Sequence, residues 1–233
     1  MSTSYVRGIA TILVVMAASA CATASPQAAP GTATPVIAKP VINPESEAAA
    51  IAQARADSLR HPYTAADVRF MSGMIHHHAQ AIVMSRSAAS HGASPAVQRL
   101  ADRIINAQQD EILTMQSWLR DRRQPVPDGT ATGMKMNMGG MEHEMLMPGM
   151  LTDEQMKQLD AARGSEFDRL FLTYMIQHHK GAVSMVKELF DSYGAGQDEV
   201  VFKFASDVNV DQTTEIARME KLLVSVTLGV ETQ

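Results

Sequence analysis

FMSGMIHHHAQAIVM, residues 70–84, and FLTYMIQHHKGAVSM, residues 171–185, are one segment written twice at an offset of 101 positions. Phe, Met, Ile, the His-His pair, Ala and Met recur in place, and Asp67 matches Asp168 just upstream. Downstream, Gln108, Glu111, Ile112 and Met115 match Gln212, Glu215, Ile216 and Met219 at an offset of 104, the extra residues fitting the Tyr193–Gln197 turn. Each repeat is therefore a pair of segments. In the first segment Asp67, Phe70, Met71, Met74, His77, His78, Ala81 and Met84 follow the i, i+3, i+4, i+7 spacing of one helix face, which puts His76 on the other.

The ends of the segments carry helix signals. Thr64 with Asp67 forms a capping-box pattern, Ser94-Pro95 sets a capping side chain before a first-turn proline, and Gly92 and Gly194 stand where helices stop. The expected helices run over 64–91, 95–122, 165–193 and 197–228, with a short one after Thr152 and another over 45–60. Two helical hairpins with matching inner stripes predict an all-α fold, an antiparallel four-helix bundle about a pseudo-twofold axis, occupying residues 45–233.

The composition is unusual for such a bundle. The chain has 233 residues, and its 17 Met outnumber the 6 Phe, 4 Tyr and 1 Trp together. A formal net charge of −5 argues against nucleic acid as a partner. The 1 Cys excludes an internal disulfide, a thiolate metal cage and a C-x-x-C redox site. That residue, Cys21, ends a leader with Arg7, an apolar run from Ile9 to Ala18 and the small residues Ala18-Ser19-Ala20. Residues 1–21 read as a secretory signal peptide too short to span a membrane. Cys21 resembles the lipidated cysteine of bacterial lipoproteins, although Ala18 replaces the usual Leu; plain cleavage after Ala20 or Ala24 is the alternative. Residues 22–44, rich in Pro, Ala and Thr, read as an extended tether.

His77-His78 and His178-His179 are the sharpest chemical signal. Adjacent helix positions lie about 100° apart, so the two rings of each pair flank the inner stripe, with Met74 or Met175 one turn earlier and Met84 or Met185 beyond. Imidazole ligates Cu, Zn, Fe and Ni, and a thioether favours Cu(I). The bland alternative is buried polar residues set among Met filler, but four matched buried imidazoles would each need a partner. A di-iron or di-manganese site wants Glu-x-x-His, and neither His pair has a Glu three residues before it. The available carboxylates are Asp67, Asp168, Glu111 and Glu215; the two Glu either orient the His rings or are surface charges. Met115 and Met219 either complete a thioether set or fill the bundle, and Trp118 reads as a core anchor.

A second feature is the inter-hairpin loop, 123–151. Its stretch 133–150, GMKMNMGGMEHEMLMPGM, holds Met134, Met136, Met138, Met141, Met145, Met147 and Met150 with His143. Its Gly, Pro and missing helical period argue against a core element. Exposed thioethers in an exported chain are oxidation-prone unless they have a ligand, and Met-x-Met-x-Met beside His looks like the segments of periplasmic copper-handling proteins. His61 and His91, near helix ends, are expected to be solvated, and His76 a surface residue or auxiliary ligand.

The doubled Met-Ile-x-His-His motif and the linking MPGMLTDEQMKQL resemble the bacterial family known as domain of unknown function 305, over about residues 60–228. The resemblance implies a ferritin-like four-helix bundle, secreted or lipid-anchored, and a copper role for Met74, His77, His78, Met84, Met175, His178, His179 and Met185. The sequence thus predicts a non-enzymatic, periplasmic copper-binding protein for Cu(I), and for Cu(II) through the histidines, with the 133–150 segment as a capture arm. Expected partners are copper ions, a membrane through Cys21, a copper transporter or oxidase, and a second copy. The rivals are a ferritin-like iron or manganese oxidase and a non-metal envelope interaction protein.

Overall fold

The computed structural model describes residues 48, 49, 52, 63–138 and 141–229. The expected signal peptide, the lipidation site Cys21, the tether and His61 lie outside them. Of the helix expected over 45–60, positions 48, 49 and 52 are helical and the rest lies outside.

Five helices and a short ribbon follow in the order α1 (Ala65–Arg86), α2 (Pro95–Asp121), β1 (Met134–Met138), β2 (Met141–Met145), α3 (Asp153–Ala161), α4 (Gly164–Asp191) and α5 (Glu199–Leu228). The caps behave as their residue types require. Thr64 accepts from the backbone of Ala66 and Asp67 while Asp67 reaches back to Thr64; Thr152 and Gln155 do the same for α3; Ser94 caps α2 ahead of Pro95. The first helix is shorter than expected. It ends at Arg86, and residues 87–92 form turns that close on Gly92, whose φ of 70° suits glycine.

The hairpins α1–α2 and α4–α5 pack through α1 and α4 into a four-helix bundle with two apolar clusters. One joins the first half of α1 to the second half of α4, with Phe70, Met74, Met115, Met185 and Leu189; the other joins Met84 to Phe167, Phe171, Met175 and Met219. That exchange of ends is the antiparallel arrangement. It also distributes the repeat's methionines, giving each cluster one from α1, one from α4 and one from the second helix of a hairpin.

The matched aspartates hold this arrangement from both sides. Asp67 accepts from Gly196 N at 2.7 Å, in the α4–α5 turn, and Asp168 accepts from Ser94 N at 3.1 and 3.2 Å, in the α1–α2 turn. Each hairpin's buried carboxylate thus satisfies the turn of the other, a use for charge that burial permits only when it is hydrogen-bonded.

The segment between the hairpins departs from expectation. Residues 134–138 and 141–145 pair as antiparallel strands, Met134 opposite Met145, Met136 opposite His143 and Met138 opposite Met141. The methionines alternate with Lys135 and Asn137, which is the period of a strand and not of a helix. Residues 146–152 then lie against the bundle, where Met150 and Leu151 are buried.

Candidate metal centre

Midway along the bundle, between the two apolar clusters, His77 and His78 of α1 meet His178 and His179 of α4. The 3.6-residue period carries both pairs inward, and all four side chains are buried. The His77 and His178 rings lie 3.8 Å apart between centroids, tilted by 41°, while neighbours within each pair are 6.3 Å apart. Met74, Met84, Met115, Met175, Met185 and Met219 are buried on either side of this layer.

Three of the rings are held from outside. His77 Nε2 donates to the Pro148 carbonyl at 3.1 Å, and His179 Nε2 donates to Glu215 Oε2 at 2.8 Å. His78 Nε2 stands 2.7 Å from Glu111 Oε2, off the line of a straight hydrogen bond. A carbonyl or carboxylate only accepts, so each contact calls for the proton on Nε2 and leaves Nδ1 with a bare lone pair. The Nδ1 atoms of all four histidines are buried with no partner, and His178 has no partner on either nitrogen. An unpaired buried polar atom costs about 1–3 kcal/mol. As mere packing, the layer would consume several kcal/mol of a total stability of roughly 5–15 kcal/mol.

The electrostatics favour neutral rings. Burial, then the proximity of His78, lowers the His77 pKa from 6.5 to about 3. Burial, followed by the other three histidines, puts His178 well below its ordinary value. Neutral imidazole is the ligating form. Outside the layer, Glu111 opens onto a groove of about 630 Å³ between α2 and α5 that Asp110, Glu199, Asp207 and Asp211 also line. Burial, followed by the charges of Glu111, Asp207 and Glu215, raises the pKa of Asp211.

Among the described residues, no three His, Cys, Asp or Glu side chains stand gathered around one point, the four layer histidines included. The carboxylates that an oxidase would need are engaged elsewhere: Asp67 and Asp168 on backbone turns, Glu111 and Glu215 at the outer edges of imidazoles. The donors facing the layer are imidazole nitrogens, with thioethers above and below.

Of the insert's residues, Met147 and Met150 lie against the bundle, and Met145 is exposed at the end of β2. Met134, Met136, Met138, Met141 and His143 occupy positions on the two strands; their side chains are outside the description. Two expectations for other histidines change. His76 is buried, not a surface residue, because residues from the insert cover it and its Nδ1 meets the Ala131 carbonyl at 2.8 Å. His91 is buried rather than solvated, held by Ser90 Oγ and by the Asp160 carbonyl in the last turn of α3. Gln108 and Gln212, noted above only as repeat markers, are also buried with Oε1 unpartnered; their recurrence one turn before Glu111 and Glu215 was the signal that singled them out.

The family model described as domain of unknown function (DUF305) matches residues 67–223. A DUF305 protein from Streptomyces coelicolor, described as a candidate secreted protein, is 30% identical with a TM-score of 0.57, over 72% of this chain and 96% of that one. CopM in its Cu(II)-bound form is 28% identical with a TM-score of 0.53, over 68% of this chain and 96% of that one. In its Cu(I)-bound form the values are 28%, 0.50, 67% and 94%. No curated protein matches. With the family model spanning most of the sequence and the bundle common to these structures, the chain belongs to the DUF305 family.

Proposed function

We propose that this protein is an envelope copper-binding protein that holds Cu(I), and Cu(II) through its imidazoles, for sequestration or delivery without turnover. The observation that carries the reading is the layer of four buried histidines whose Nδ1 lone pairs have no partner. His77 and His179 are oriented from outside in the way that outer hydrogen bonds orient metal-ligating histidines, and His78 stands beside Glu111 in the same sense. Thioethers on both faces of the layer bias it toward the soft, monovalent ion. The similar CopM structures, titled as Cu(I)- and Cu(II)-bound, support copper over zinc.

Export fits the leader at residues 1–21 and the likeness to a protein described as a candidate secreted one. No helix among the described residues is long and apolar enough to cross a membrane, so attachment would rest on lipid at Cys21. The Met-rich ribbon serves as the capture arm. A ferritin-like oxidase fits less well, because its carboxylates hold turns and rings.

A competitive Cu(I) titration of the mature protein beside a His77→Ala, His78→Ala, His178→Ala, His179→Ala variant tests this. The variant is expected to lose at least 100-fold in affinity for the tightest ion. Equal affinity in both proteins overturns the reading.

A further inference from the structure

The two halves of the repeat differ at a handful of inward or flanking positions, and the differences converge on one place. Gly73 corresponds to Tyr174, His76 to Gln177, Ala79 to Lys180 and Gln80 to Gly181. Three of the first hairpin's versions, Gly73, His76 and Gln80, touch the insert, as do two of the second's. Gln80 clasps Leu151, donating to its carbonyl at 3.0 Å and accepting from its N–H at 2.7 Å. Gln177 donates to the Gly149 carbonyl at 3.2 Å. Gly181 leaves room for the Pro148 carbonyl, which would lie 1.9 Å from a side-chain carbon there. His76 meets Ala131, and Ala79 shares the lining of an open cleft with Asp128, Gly129 and Thr130. Residues 146–151 are thus a strap built into the bundle.

Gly73 is the remaining difference, and it faces sulfur. A side-chain carbon at this position would meet Met147 Sδ at 3.0 Å and the Met185 methyl at 3.4 Å. Met145, Met147 and Met185 together line an open cavity of about 410 Å³ between α1, α4 and the end of β2. Arg69 and Glu188 also line it, so the wall carries no net formal charge and selection must rest on the thioethers. Gly73 lies one helical turn, about 5.4 Å of rise, before His77. The peptide carbonyl that follows Met147, that of Pro148, holds His77 Nε2.

We infer that Met145, Met147 and Met185 form a second, outer site for a soft monovalent cation, the port through which the ion passes from the ribbon to the histidine layer. Glycine at position 73 makes room for the sulfur of Met147, and the tyrosine in the matching place of the other hairpin shows that the bundle itself does not need glycine there. The site deepens the copper reading and rests on it. Its three thioethers favour a soft ion, and the one carboxylate lining the cavity, Glu188, is matched in formal charge by Arg69, so a divalent hard ion gains little there.

The test uses Ag(I), a redox-silent soft cation, titrated into the mature chain carrying [methyl-¹³C]methionine. Three proteins are compared: the wild type, a Met145→Leu, Met147→Leu variant, which conserves volume and leaves Met185 beside the histidine layer intact, and the four-histidine alanine variant. The methyl signals of Met145, Met147 and Met185 are expected to move together in one step, in the wild type and in the histidine variant alike. The leucine variant is expected to bind one equivalent fewer. If the leucine variant binds as many ions as the wild type, or the three methyls stay still while others move, the outer site is refuted and the histidine layer stands. If the wild type binds no Ag(I) or Cu(I), both readings fall.

Discussion

The two hairpins share their chemistry and differ in what they carry on their backs. Met74, His77, His78 and Met84 of α1 have counterparts in Met175, His178, His179 and Met185 of α4, and both sets are buried around one layer. Yet His77 is held by a backbone carbonyl from the insert, and His178 by nothing. Where the halves agree, the bundle's twofold packing dictates the residue. Where they disagree at 73, 76 and 80, the insert does. Asymmetry in this molecule is the imprint of the strap, and the strap reaches only one of the two central imidazoles.

Acid should give the largest effect, and it tests what the halves share. Both His77 and His178 have folded-state pKa values below the unfolded value of 6.5. The unfolded chain therefore binds more protons, so the stability these neutral rings contribute is present above about pH 6.5 and lost as pH falls, for His77 down to about pH 3. The two together should cost the metal-free protein about 1 kcal/mol between pH 7 and 6 and about 2 kcal/mol between pH 6 and 5. Urea unfolding at pH 7, 6 and 5 measures it, and a flat profile would show that the rings are not buried neutral.

The strap offers a test by sign. In an ordinary helix Gly→Ala stabilises by about 1 kcal/mol. Gly181→Ala should instead destabilise by about 2 kcal/mol or release residues 146–151 outright, because the added carbon collides with the Pro148 carbonyl. Denaturation gives the sign, and hydrogen exchange at the Leu151 amide reports the release. The matching replacement Gln80→Ala removes two hydrogen bonds to Leu151 and should cost about 1–2 kcal/mol, with the same amide losing protection.

Smallest is the difference expected between the halves at the aspartates. Asp168→Ala strips Ser94 N–H of its acceptor and should cost about 1–3 kcal/mol, and Asp67→Ala strips Gly196 N–H likewise and removes the Thr64 capping contact as well, to be offset by comparison with Asp67→Asn. Near-equal losses after that offset would confirm that the latches are equivalent; a difference above about 1 kcal/mol would show that the insert reinforces one end.

The sequence carried the helices and the histidine layer because both rest on period and repetition, which survive without coordinates. It also carried Glu111 and Glu215 as groups able to orient the rings, and left open whether they do. The ribbon was missed because Met134, Met136 and Met138 were tested against a helix, although their alternation with Lys135 and Asn137 has the period of a strand. His76 and His91 were misplaced for a different reason. Their helix faces and ends look solvated, but the covering atoms come from Ala131 and Asp160, distant in the chain. The strap was illegible for the same cause: Gln80, Gln177 and Gly181 gain meaning only when Leu151, Gly149 and Pro148 are laid upon them.

The reciprocal aspartate latches bear on how the chain is wired. Each fastens a helix of one hairpin to the turn of the other, and neither depends on the covalent path through residues 122–152. The histidine layer therefore belongs to a two-part assembly that happens to be one polypeptide. A cut within the ribbon should leave the halves clasped and the four imidazoles face to face, and the same two pieces expressed apart have the contacts they need to find each other.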